Sequence, residues 1–556
     1  MKRKESSTDN NNKKHHSEVM ECETLENPKK KIQKQDPIQK EQKYDRQLRL
    51  WGNDGQTALE NARICLINAT ATATETLKCL VLPGIGKFYI VDDHLVNDDD
   101  LSSNFFVDPE SIGKPRAKVA CELLQELNPD TSGNWIKEDA ANLLDNDPEF
   151  YRKFTAVICS RVSEHDLLKL SHYFWEHDIP LFIVDSVGMF GYLRLVYKEH
   201  VIIKAHPDNT HSDLRLDCPF PELVDYFNKM DLSTMDNLEH SHTPFLVVLY
   251  KALERWQEQT DQKWPKNYKE KCQIKEIVRS LNLKNEDGVP VHEENFEEAL
   301  TNVNNVFSGT FVPSDVRNVL DNPMADHPLQ SANNSKFWIL VRALKEFVNQ
   351  SGTLPLRGSL PDMFSDSKRY IELQNVYKTK AESDIQKVTD LVRESLEDLQ
   401  RSLSFIQPDE IQTFCKNAAF IQVQYGLSYH DEIRQNLAEH KIKDTLEQYQ
   451  ENGASLYLAF RTLHSSLDQQ APKDLISLSS VTENVMKSCL LEEFESPLNI
   501  LEEMLRSDLS EFHPMAAVMG GISAQEVIKM ITGQFVPVNN VLLVNSVESQ
   551  TVTMKL

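Results

Sequence analysis

Residues 62–93, ARICLINATATATETLKCLVLPGIGKFYIVDD, constrain this chain more than any other stretch. A short apolar run, a polar loop, a helical segment and a second apolar run follow one another as in a strand–helix–strand unit. Such a unit opens a nucleotide-binding sheet, and the loop after its first strand should be rich in glycine so that a phosphate can reach the backbone N–H groups. No glycine occurs between Gln56 and Pro83. Asn68, Thr70, Ala71 and Ala73 put side chains into that loop instead. The frame of a nucleotide-binding fold is present without its phosphate cradle, which points to a fold kept for something other than binding its own nucleotide.

The alternation continues to about Lys198. Strands are expected at 63–67, 87–92, 154–159, 180–185 and 192–197, with helices at 75–82, 114–127 and 163–177. Short apolar runs separated by amphipathic segments imply a buried, largely parallel sheet covered by helices. From residue 205 to 510 the pattern becomes helical. Segments 243–259, 336–350 and 366–403 carry apolar residues at spacings of three and four; in the last, Tyr370, Leu373, Tyr377, Ala381, Ile385 and Val388 form the stripe. SGTLPLRGSLP, 351–361, reads as an internal linker because its Gly and Pro residues cannot continue a helix. Residues 511–556 return to the first character, with a helix rich in small residues and two strands; the Gly520-Gly521 pair would let that helix approach a neighbouring backbone. The reading is therefore an α/β class chain with a discontinuous, doubly wound Rossmann-like fold, residues 41–204 and 511–556, interrupted by an all-helical insertion at 205–510.

Residues 1–40 hold almost no large apolar side chains and are expected to be disordered; Pro28-Lys29-Lys30-Lys31 within them reads as a nuclear import patch or as an ordinary solvated charge run. The 556 residues need two or three domains, and a net charge of −25 argues against a general nucleic-acid binder. Nine cysteines without a CxxC pair suit reduced thiols in the cytosol or nucleus rather than a zinc site or a disulfide framework. No run of about twenty apolar residues exists, so no membrane partner is expected.

KYDRQLRLWG (43–52), NATATAT (68–74), NFF (104–106), IGKPRAK (112–118), HSHTPF (240–245), PDMFSDSKRYIELQNVY (361–377), FCKNAAF (414–420) and HPMAAVMGGISAQEVIK (513–529) resemble the activating enzymes of ubiquitin-like modifiers. More narrowly they resemble the regulatory subunits of the heterodimer that activates the neddylation modifier. The resemblance implies an adenylation-like fold paired with a catalytic subunit, which binds Mg-ATP, adenylates the modifier's terminal glycine and forms the thioester, with cullin modification downstream. It implies no cofactor of the chain's own. The family's glycine loop falls on 68–73. Asp92 stands where an acid binds ribose, and Asn104 matches, but Val107 replaces an expected arginine, Arg116 the phosphate-binding lysine, and Arg161 the acid that serves magnesium. A cation at that last position would repel the metal.

One element of the chemistry is intact. Tyr44, Leu48 and Trp51 share a helical face, Arg46 and Arg49 project from another, and Gly52 is a natural helix stop. On spacing alone Arg46 is a solvated arginine worth about 0–1 kcal/mol in a surface ion pair. The resemblance instead implies that Arg46 reaches across the dimer into the partner's ATP site, as an arginine finger does. The family's thiol nucleophile would lie in the inserted region, where Cys218, Cys272 and Cys415 occur, but none carries the family's motif, so the thioester is expected on the partner. His240 and His242 alternate on a segment read as extended, which suits a contact or helix-start role better than metal binding; the resemblance favours partner contact there and at Asp362, Met363, Asp366 and Tyr370. It also assigns the conjugating-enzyme docking domain to the other subunit. Two other readings stay open: a self-sufficient homodimeric adenylating enzyme, and an adaptor that uses an inactive nucleotide fold for protein interaction.

Overall fold

The computed structural model describes residues 42–205, 212–331, 333–434, 441–449, 453–469, 472–489, 491 and 497–556; the amino-terminal tail with its basic patch lies outside them. Two compact units emerge, one formed by the chain up to His200 together with Gln424–Leu556, the other by Val201–Val423.

The first unit is built on an 8-stranded sheet. Its strands are β1 (Arg63–Ile67), β2 (Lys87–Val91), β3 (Ser132–Ile136), β4 (Ala156–Cys159), β5 (Leu181–Val187), β6 (Phe190–Val196), β7 (Val541–Asn545) and β8 (Gln550–Met554). They lie in the order β8-β7-β6-β5-β4-β1-β2-β3. The five from β3 to β5 are parallel, and β6, β7 and β8 extend the sheet antiparallel, so the last residues of the chain complete a sheet begun at Arg63. Register places Cys65 between Tyr89 and Val157, and Tyr192 opposite Leu543.

The helices of this unit that matter here are α1 (Asp45–Asn61), α2 (Ala71–Val81), α3 (Arg116–Glu126), α4 (Glu164–Glu176), α5 (Ala454–Asp468), α6 (Leu475–Ser488), α7 (Leu498–Leu505) and α8 (His513–Thr532). Because alternate side chains leave opposite faces of a strand, Ile64, Leu66, Phe88 and Ile90 pack beneath α2, α3 and α8, while Cys65, Ile67, Val157 and Ile183 pack beneath α4 to α7. This second face moves a boundary. The insertion read to residue 510 ends at Val423, and the helices that follow belong to the sheet. Apolar periodicity reveals that a helix covers something; it does not reveal what. β3 escaped the sequence reading because SGNWI carries Gly133 and Asn134, and Gly133 is needed there: a Cβ would stand 2.5 Å from the Phe88 ring.

Gly520 meets its expectation, since a Cβ would lie 2.7 to 2.9 Å from Glu75 and Thr76 of α2. Gly521 has open space and takes no part in the approach.

The second unit is helical. The stripe on Ser367–Asp398 is buried at Leu373, Tyr377, Ala381 and Val388, and the expected linker after Ser335–Ser351 is not a loose tether, because Leu354 and Leu356 are buried. Among the described residues no helix is long and apolar enough to cross a membrane.

Candidate functional site

In a doubly wound sheet ligands bind beyond the carboxyl ends of the strands, so the degenerate loop is the place to look. Asn68 follows β1 in the left-handed conformation (φ 64), which asparagine tolerates, and its Nδ2 donates to the Ser160 carbonyl at 2.9 Å. Without glycines the helix winds back further than expected: α2 begins at Ala71, with Thr70 as its N-cap accepting from the Ala73 N–H. Ala71 and Ala73 are thus first-turn residues and not loop residues.

The freed N–H groups of that first turn are occupied by the chain itself. Ala71 N–H donates to Glu511 Oε2 at 2.8 Å and Thr72 N–H to Glu511 Oε1 at 3.0 Å, and the Thr72 hydroxyl donates to the same Oε1 at 2.5 Å. The two residues before Glu511 are stitched down as well. The Leu509 carbonyl accepts from Arg161 Nη2 at 2.6 Å, and the Ser510 carbonyl from Gly188 N–H at 2.9 Å. Since Asn68, Arg161 and Gly188 follow β1, β4 and β5, residues 509–511 form a strap across the carboxyl ends of these strands. A carboxylate on the N–H groups of a helix start occupies the position that suits a phosphate.

The other matched positions are equally self-satisfied. Asp92 is buried and accepts from Ala69 N–H at 2.8 Å and from Arg116 Nε at 2.7 Å, and Arg116 Nη1 reaches Asp100 Oδ1 at 3.0 Å. Burial opposes the charge on Asp92, but the hydrogen bond with His94 and the Arg116 guanidinium outweigh it and lower the carboxyl to about 2. The residue at the phosphate lysine's position is therefore folded back onto the residue at the ribose acid's position. Asn104 Oδ1 accepts from the Thr74 hydroxyl and Phe106 N–H, and its Nδ2 donates to the Ala69 carbonyl. Arg161 donates its backbone N–H to Asp185 Oδ1 at 2.7 Å, and Asp185 Oδ2 meets His464 Nε2 at 2.7 Å. Asp92, Asp93 and His94 form the cluster with metal-ligand spacing among the described residues, with Asp92 already holding Arg116.

Arg46 differs from all of these. Tyr44 and Trp51 are buried and Leu48 half-buried along one face of α1, as their spacing requires, and Arg49 pairs with Asp45 at 3.0 Å. Arg46 is exposed, and among the described residues no hydrogen bond or ion pair engages it. Gly52 stops the first helical stretch as expected: its backbone (φ 65, ψ −176) is non-helical, and a second helical stretch follows it to Asn61.

In the helical unit, Cys415 is buried and burial pushes its thiol up to about 12. Partial burial, and then Asp217, raise the exposed Cys218, while Cys272 is half-buried in the helix Tyr268–Leu281. His240 is corrected from a contact residue to a core residue: it is 1% exposed, bonds Glu293 Oε1 through Nδ1 at 2.6 Å and stacks on Phe296. The segment is a helical turn, Asn237–Ser241, and not extended. His242 is half-buried near Phe364, Asp362 is exposed, Met363 and Tyr370 are half-buried, and Asp366 caps the long helix by accepting from Arg369 N–H. Pocket-lining residues of about 630 Å³ of space include His242 and Asp366.

Glu511 and Leu509 were missed by sequence reasoning. Glu511 lies 440 positions from the N–H group it caps, and nothing local distinguishes it from other surface acids.

The ThiF family model matches residues 44–556. A NEDD8-activating enzyme E1 regulatory subunit from Xenopus laevis is 43% identical over 528 residues, 93% of this chain and 99% of that protein. Its counterpart from Danio rerio is 42% identical over 531 residues, covering 93% and 99%. Among solved structures, the E. coli tRNA N6-threonylcarbamoyladenosine dehydratase TcdA in complex with AMP overlaps 27% of this chain and 60% of its own, at 19% identity and a TM-score of 0.24.

Proposed function

The chain belongs to the ThiF family, among the NEDD8-activating enzyme E1 regulatory subunits, and from that membership we propose that it completes a partner's adenylation site while leaving its own unused. The catalytic subunit binds Mg-ATP and NEDD8, adenylates the terminal glycine of NEDD8 and accepts it as a thioester. This chain pairs with that subunit through its adenylation-like fold and presents Arg46 to the triphosphate. A guanidinium there offsets charge as the α-phosphate is attacked, and it does so more strongly in a water-poor site than at a free surface.

The observation that carries the reading is the Glu511 carboxylate on Ala71 and Thr72. A chain that spends its helix-start N–H groups on its own acid, and its phosphate-side arginine on Asp92, has committed the donors that would otherwise hold a nucleotide's phosphates. The test is ATP–pyrophosphate exchange with NEDD8, using this chain alone, the catalytic subunit alone, and both together. Exchange only in the mixture is expected, and Arg46→Ala should slow it without separating the subunits. Exchange by this chain alone would overturn the proposal. An unchanged rate in Arg46→Ala would remove the role of that residue and favour a scaffold.

A further inference from the structure

We propose that Tyr44 is a positioning residue: clamped by Asn128 and Asp130, it holds the helical arm that aims Arg46. The inference rests on the role just proposed for Arg46.

The kink at Gly52 separates residues 45–51 from the rest of α1, so Arg46 rides on a short arm. Two turns of helix are unstable alone, and this one starts without a side-chain cap at Tyr44. Arg46 sits in its first turn, the part of an uncapped helix that frays first. Most of the outer surface of the arm, including Asp45, Arg46, Arg49 and Leu50, is exposed and offers it little packing.

What holds the start of the arm is a polar clamp. The Tyr44 hydroxyl donates to Asp130 Oδ2 at 2.9 Å and accepts from Asn128 Nδ2 at 3.1 Å. Lys43 Nζ donates to Asn128 Oδ1 at 2.6 Å and to Asp130 Oδ2 at 2.7 Å. Asn128 Nδ2 also reaches the Val81 carbonyl at 2.8 Å, which ties the clamp to the end of α2. The ring lies against Gly84, where a Cβ would stand 2.7 Å from the hydroxyl. The far end of the arm is fixed separately, by Gln534 Nε2 donating to the Trp51 carbonyl at 2.9 Å and by Trp51 Nε1 donating to Gln56 Oε1 at 3.1 Å. An arm pinned at both ends has one direction, and Arg46 inherits it. Burial of the ring alone would anchor the arm; the hydroxyl network fixes its rotation.

The test uses the assembled heterodimer and ATP–pyrophosphate exchange, with Tyr44→Phe, Asp130→Ala, Arg46→Ala and the Tyr44→Phe/Arg46→Ala pair. Tyr44→Phe keeps the ring and should lower kcat about tenfold while the heterodimer stays intact in sedimentation. Asp130→Ala should act in the same direction and serves if Tyr44→Phe disturbs folding. The double variant should be no slower than Arg46→Ala, because a clamp that acts through Arg46 has nothing to position once the guanidinium is gone. Losses that multiply in the double variant would mean that Tyr44 acts through general stability, and would overturn the proposal. So would an unchanged kcat in Tyr44→Phe beside a slowed Arg46→Ala, with the role of Arg46 intact. An unchanged rate in Arg46→Ala would instead defeat the reading on which the clamp depends.

Discussion

Replacing Glu511 by alanine removes three charge-assisted hydrogen bonds at once, two to the N–H groups of Ala71 and Thr72 and one to the Thr72 hydroxyl. Each such bond contributes about 1.5–3 kcal/mol net, but the three share one carboxylate and water would re-solvate part of the exposed side. Losing a helix N-cap alone costs about 1 kcal/mol, and Ala71 and Thr72 are buried, which raises the cost of leaving their N–H groups unpaired. About 2–4 kcal/mol of local stability at the start of α2 is the reasonable sum. A chain of two compact units is a poor two-state system, so the local quantity is the one to measure. Hydrogen exchange of a peptide spanning 68–82 should quicken about 30- to 700-fold in Glu511→Ala, since each 1.4 kcal/mol is a factor of ten. Glu511→Gln retains one carbonyl acceptor and should fall between the parent and alanine. Exchange within twofold of the parent in Glu511→Ala would refute the argument that this carboxylate holds the start of α2.

Gly520→Ala should cost about 1–3 kcal/mol, because its Cβ would press within 3 Å of the α2 backbone, whereas Gly521→Ala meets open space and should be neutral or gain up to about 1 kcal/mol in helix propensity. Equal urea midpoints for the two variants would contradict the close packing of α8 on α2. Burial lowers His200 to about 4 from an ordinary value of 6.5, with the Phe535 carbonyl only partly restoring it. The unfolded chain therefore takes up this proton as pH falls through 6.5 while the folded one does not until about 4, so stability should decline across that window and level off below it. His200→Gln should flatten the decline in urea midpoint between pH 7.5 and 4.5; an unaltered slope would show that other groups cause it.

Much of the fold was legible in local sequence because strands buried on both faces must read as short apolar runs, and β1, β2, β4, β5 and β6 do. β3, with a glycine and an asparagine in five residues, carries too weak a pattern. The candidate site was legible as a set of losses: the missing glycines, Arg116 and Arg161 each signal that a nucleotide's contacts are gone. What took their place was not legible. Arg116 could have been solvated, and only its 2.7 Å approach to Asp92 makes it part of a buried ion pair. His240 looked like a surface residue until Glu293, far along the chain, closed over it.

The sequence by itself determined the periodicities that fold this chain as a wound sheet with a helical insertion, and the absence of a phosphate loop, because both depend on neighbours within a few positions. Tertiary structure alone decided that α5 to α7 cover the sheet, that Glu511 fills the empty cradle, and that Tyr44 is clamped by Asn128 and Asp130. Those contacts join residues dozens to hundreds of positions apart, and no local pattern encodes a hydrogen bond whose acceptor arrives only when the chain has closed its sheet.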